Sequence, residues 1–228
     1  MNGEQLIKER LSRNWEQQDA AARLKVSQPY LSLLEAGKRP LTEKLARRAV
    51  RVFNLSPTAL PVEYQSPRTS RSKNENKLAS QLAALGYPKF SHLKKTRRVN
   101  PASILISALV EDELDSRVIE ALPWLALNFS DLNWGEVVKA AKLEDAQNRL
   151  GFLLSLAYNK AKKSKDEKKT ALFKELLSSL EKSRLARDDS FRRSSLTESE
   201  KRWLKKNRPP NARRWHVLSN LTAEHLIY

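Results

Sequence analysis

Apolar residues recur along most of the chain at spacings of three and four, and no segment alternates with period two, so the pattern predicts helices throughout. Leu78, Leu82 and Leu85 form one stripe, and Ile104, Leu105, Ala108 and Leu109 form a second. Val118, Leu122, Leu125 and Phe129 form a third, with Pro123 inside it predicting a fresh helix start, because proline lacks the N–H that a helix interior uses. Trp134, Val137, Val138 and Ala141 follow, then Leu150, Leu153, Leu154 and Ala157, then Leu172, Phe173, Leu176, Leu177 and Leu180. Pro101, the Asn133 to Gly135 turn and the polar run Lys160 to Lys169 separate these stripes as connections between antiparallel helices do. After Asp188 the chain turns polar and basic. There Thr197-Glu198-Ser199-Glu200 predicts one short capped helix, which Pro209-Pro210 stops.

The first 60 residues carry a tighter pattern. A helix with Leu6, Ile7 and Leu11 on its apolar side is followed by a short helix from Gln17 to Leu24. Ser27 reads as the N-cap of a third helix, Pro29 sits where a missing N–H costs nothing, and this helix runs to about Ala36 before Gly37 ends it. Thr42 caps a fourth, whose inner side is Leu45, Ala49, Val52 and Phe53. Two short helices joined by a tight turn form a helix-turn-helix arrangement. Ser66 to Asn76 contain no large apolar side chain, which places a linker at 67–76 between an N-terminal domain at 1–66 and a helical domain at 77–187, with a basic tail at 188–228.

Charge sharpens this picture. Lys and Arg number 43 against 26 Asp and Glu, a net of +17, so a polyanionic partner is expected. The excess is uneven: +4 over 1–66, +8 over 67–100, −5 over 101–150 and +10 over 151–228. The absence of cysteine excludes disulfides, zinc fingers and thiol catalysis and fits an intracellular address; with no apolar membrane span or signal peptide, the expectation is a cytoplasmic protein without a membrane partner.

Five scattered glycines form no phosphate loop, and His92, His216 and His225 lack ligand spacing, so no metal, cofactor or enzymatic activity is expected. Glu111, Asp112, Glu113 and Asp115 read as a solvated helix end facing the chain's own basic segments. For Lys94-Lys95-Thr96-Arg97-Arg98, a DNA footprint and a solvated loop both stay open.

The run Gln17-Gln18-Asp19-Ala20-Ala21-Ala22-Arg23-Leu24, followed by Val26-Ser27-Gln28-Pro29-Tyr30-Leu31-Ser32-Leu33-Leu34-Glu35-Ala36-Gly37-Lys38-Arg39-Pro40, resembles the phage Cro/repressor, or XRE-like, helix-turn-helix family. The resemblance implies an all-α protein with a five-helix N-terminal helix-turn-helix domain and a further helical domain behind it. It implies that Ala21 lets the two helices approach closely and that Arg10 and Glu35 form a structural salt bridge. Lys25 departs from the pattern, which usually has glycine in the turn.

Carried across, the family's roles make Gln28, Pro29, Ser32 and Leu33 base contacts, Gln28 pairing with adenine N6 and N7. Gln17, Lys38, Arg39 and Arg13 become phosphate contacts, with Gln17 also bracing Gln28. Against this, Gln28 also reads as an ordinary solvated helix residue. The implied function is a sequence-specific regulator, a repressor of its own operon acting as a homodimer on a palindromic double-stranded operator. Family habit offers an alternative, an antitoxin whose C-terminal region holds a toxin, and a C-terminal enzyme is a further one. Arg213, Arg214, Trp215, Leu218 and Leu221 are the candidate partner-binding residues: a tail after two prolines is too short to bury its apolar side chains against itself, so they dock on the helical domain, on a second copy or on another protein, the last being slightly favoured.

Overall fold

A computed structural model describes residues 3–63, 74–94 and 96–226. Most of the stretch read as a linker, and Lys95 of the basic segment, lie outside the described residues. The chain is helical, with no strand among the described residues, and it divides into two compact units after Glu63. No helix of the described residues is long and apolar enough to cross a membrane.

The first unit contains α1 (Gly3–Leu11), α2 (Gln17–Leu24), α3 (Gln28–Glu35) and α4 (Glu43–Val52), with a 3-10 turn at Pro57–Ala59 as a fifth helical segment. Leu6, Ala20, Ala21, Leu24, Leu31, Leu34, Leu45, Ala49 and Phe53 form its core. α1 meets the end of α3 closely enough that a Cβ on Gly3 would stand 2.3 Å from the Leu34 carbonyl oxygen, so only glycine fits there. α4 buries Leu45, Ala46 and Ala49, while Arg47 on its polar side pairs with Glu43 at 2.7 Å and Glu63 at 2.6 Å.

The second unit comprises α5 (Asn74–Leu85), α6 (Pro101–Val110), α7 (Ser116–Asn128), α8 (Trp134–Leu143), α9 (Gln147–Lys163), α10 (Glu167–Glu181), α11 (Glu198–Asn207) and α12 (Pro210–Arg214). α5 begins at Asn74, inside the span read as linker. α9 is the central element, packed against α7, α8, α10 and α12. Pro123 starts no new helix: α7 runs through it, with Leu122, Pro123, Trp124 and Leu125 all buried. Burial of the flanking turns holds the helix together across the one hydrogen bond that proline cannot make.

Beyond α10 the chain is irregular until α11, and the polar start of α9 holds it in place. Asn148 exchanges two 2.9 Å hydrogen bonds with the Leu185 backbone, and Gln147 Nε2 donates to the Ser183 carbonyl at 3.1 Å. Arg149, buried, pairs with Asp189 at 2.8 and 2.9 Å and also donates to the Leu109 carbonyl. Asp189 in turn bonds the backbone around Val217 on both sides, which joins the two halves of the tail.

Two of the acids between α6 and α7, Asp112 and Glu113, face this same basic segment, Asp112 lying 3.8 Å from Arg192. Glu113 accepts hydrogen bonds from Ser194 and Ser195, Asp115 caps α7, and Glu111 is buried.

Candidate DNA-binding site

α3 begins where the sequence changes character. Ser27 adopts an extended backbone and its hydroxyl accepts from the Tyr30 N–H at 3.3 Å, while Pro29 occupies the first turn at no hydrogen-bond cost. Leu31 and Leu34 face the core, which leaves Gln28, Pro29 and Leu33 exposed and Ser32 half-exposed on the outer side. At the far end Gly37 takes a φ of 70°, and the N–H groups of Lys38 and Arg39 turn back to the Leu33 carbonyl. Both side chains are exposed, and neither pairs with a carboxylate among the described residues.

The turn between α2 and α3 keeps its left-handed residue although it lacks glycine. Lys25 has φ 52° and ψ 50°, and its N–H bonds the carbonyls of Ala21 and Ala22. A side chain in that region costs about 1 to 2 kcal/mol, so the turn holds its shape at the expense of some stability. Ala21, 3% exposed, gives α2 a small side chain at the packed face.

Four polar side chains connect α1, α2 and α3. Arg10 donates to both oxygens of Glu35, at 2.8 and 3.2 Å, and its third contact is the Trp15 carbonyl at 2.9 Å. Gln17 Nε2 donates to Glu35 Oε2 at 2.8 Å, and Gln28 Nε2 donates to Gln17 Oε1 at 2.8 Å.

An ionised carboxylate only accepts, so Glu35 forces the Gln17 amide to present its nitrogen. Gln17 must then present oxygen to Gln28, and Gln28 must present nitrogen to Gln17. The remaining N–H and the Oε1 of Gln28 stay open, one donor and one acceptor side by side. That pair matches the N7 acceptor and N6 donor of adenine in the major groove. Glu35 is 6% exposed, so the whole chain is anchored from inside the unit.

Arg13 has structural partners of its own. It donates to the Glu9 carboxylate at 2.7 Å and to the Phe53 carbonyl, and its guanidinium stacks over the Trp15 and Phe53 rings at 6.0 and 5.3 Å. Those contacts fix α1 to the end of α4 and engage the guanidinium within the unit, with the side chain 30% exposed.

A basic cluster escaped the sequence reading: Arg23, Lys25, Arg48 and Arg51 line a shallow recess of about 370 Å3. Arg23 also stacks over Trp15 at 4.3 Å, and Arg48 closes the end of α2 by donating to the Leu24 carbonyl at 2.7 Å. Only the packing of α2 on α4 assembles these residues, so spacing along the chain carried no signal of them.

The tail candidates are a correction. Trp215, Leu218 and Leu221 are buried in the second unit, and Trp215 is 1% exposed, so the tail completes its own domain. A Cβ on Gly151 would stand 2.3 Å from the Trp215 ring, which shows how closely that ring lies on α9. Arg213 and Arg214 alone of the five remain exposed. Of the Lys94 to Arg98 segment, Arg98 donates to the Ala84 carbonyl at 3.3 Å.

No curated protein and no solved structure matches the chain. Residues 6–60, about a quarter of it, match the helix-turn-helix family, which supports an XRE-like motif and makes this domain that of a DNA-binding regulator.

Proposed function

We propose that the protein is a sequence-specific regulator of transcription that reads double-stranded DNA through α3 and represses its own operon. The observation that carries this reading is the fixed Gln28 amide, held by Gln17, Glu35 and Arg10 at the start of an exposed helix. Lys38 and Arg39 beside it supply phosphate contacts, which position without reading sequence.

A helix of this length reaches only a few base pairs, too few to single out one site among the millions of competing sites in a genome. The protein therefore acts as a homodimer on a palindrome, with half-sites about one helical turn apart. It carries no catalysis. An antitoxin role needs a partner surface other than Trp215, Leu218 and Leu221, since those are already buried.

Selection of bound duplexes from a random library by the full chain tests this. The expected consensus is two inverted half-sites about 10 base pairs apart, containing adenine at the Gln28 position. Recovery of unrelated sequences would contradict sequence reading, and recovery of single half-sites would contradict the dimer. A reporter driven by the region upstream of the gene should fall when the protein is supplied.

A further inference from the structure

DNA recognition leaves unexplained a cleft of about 660 Å3 in the second unit, walled by α9, α10 and α12. Sites for small organic ligands run from about 300 to 1,000 Å3. Its apolar surface comes from the half-buried Tyr158 and Leu177, and Trp215 borders it almost wholly buried. Trp215 cannot swing away freely, because its ring lies directly on Gly151 and is 1% exposed. The side of the cleft that Trp215 borders is therefore preformed, which lowers the ordering cost of binding.

The rim of the cleft is cationic. Lys174 and Lys182 project from α10 and Arg214 from α12. The one carboxylate there, Glu181, is shared by Arg184 at 2.8 Å and Arg214 at 2.9 Å, so two guanidinium groups already outweigh it. Lys174 and Lys182 have no carboxylate partner among the described residues. An apolar floor with excess positive charge at the Lys182 and Arg214 end has a matching ligand type. A nucleic acid backbone suits it poorly, because the apolar floor of a concave cleft offers a phosphate chain nothing.

We propose that this cleft binds an amphipathic organic anion, with an aromatic or aliphatic body lying on Tyr158 and Leu177 and its acid group held by Lys182 and Arg214. This site is separate from α3 and does not depend on the DNA-binding reading.

The test uses the full chain, titrated by fluorescence and calorimetry with 8-anilinonaphthalene-1-sulfonate and with its uncharged counterpart N-phenyl-1-naphthylamine. The expected result is one saturable site per chain for the sulfonate. Lys182→Glu weakens the sulfonate about tenfold and leaves the neutral probe unchanged, since only a charge contact is reversed. Ser178→Trp, at an exposed position lining the cleft, abolishes binding of both probes while circular dichroism and the melting temperature stay at wild-type values. The proposal is overturned by non-saturating sulfonate binding, by equal affinity for both probes, or by a folded Ser178→Trp protein that binds the sulfonate as the wild type does.

Discussion

The direction in which the Gln28 amide faces is decided at Glu35, two hydrogen bonds away. Arg10 and Glu35 are both largely buried, with side chains 13% and 4% exposed, so removing either partner strands a charge inside the unit. Arg10→Ala and Glu35→Ala should each cost about 3 to 5 kcal/mol, while Arg10→Met combined with Glu35→Leu should cost much less than the sum. Urea denaturation of the four proteins measures this, and strict additivity would mean that the pair is not coupled. The four residues of this chain were readable by their place in a familiar motif. Arg13 was not, because what engages it includes the Phe53 carbonyl, 40 residues away in sequence.

Among the elements, the turn after α2 holds its shape with lysine where glycine would be relaxed. Lys25→Gly should relieve left-handed strain and raise stability by up to about 1 kcal/mol, less the entropy that glycine adds to the unfolded chain. Slower amide exchange in α2 and α3 would register it, and faster exchange would show that Lys25 is held by something other than the turn. Helix starts were legible because caps are local: Thr197 and Glu200 satisfy each other's backbone N–H groups at the start of α11, a pattern contained within four residues. The role of Gln147, Asn148 and Arg149 was not legible, since a polar run at a helix start normally faces water and here is buried against the tail. Arg149→Ala leaves Asp189 without its main partner and should cost about 3 to 5 kcal/mol in chemical denaturation, whereas the Arg149→Met, Asp189→Asn pair should recover part of that loss. A neutral Arg149→Ala would show that the tail is held by other contacts.

At the scale of the whole molecule, all-α architecture and a break after the first 60-odd residues follow from periodicity and composition, but the folding of the tail onto α9 does not. Its apolar residues have no period that names a partner, and Gly151 is the sole local sign that a large ring lies against that helix. The same tail makes stability depend on pH. Hydrogen bonds from Ser194 and Ser195 push the Glu113 carboxyl down to about 2 from its ordinary 4.5, so its contribution is full above the ordinary value and is lost as pH falls towards 2. Asp188 is affected by burial, which opposes ionisation, but hydrogen bonds from Lys205 and Arg208 outweigh it and hold that carboxyl low as well. Stability of the second unit should therefore fall between about pH 5 and pH 2, less steeply in Glu113→Gln, as thermal melts across that range would show; identical slopes would contradict the Glu113 contact. The central claim, that the fixed Gln28 amide reads a base, is tested most directly by the affinity of the full chain for its selected site and for random duplex, each measured across a salt series. Gln28→Ala should lower the ratio of the two affinities by about 10 to 100-fold and leave the slope of log K against log salt unchanged. An unchanged ratio, with both affinities reduced alike, would contradict it.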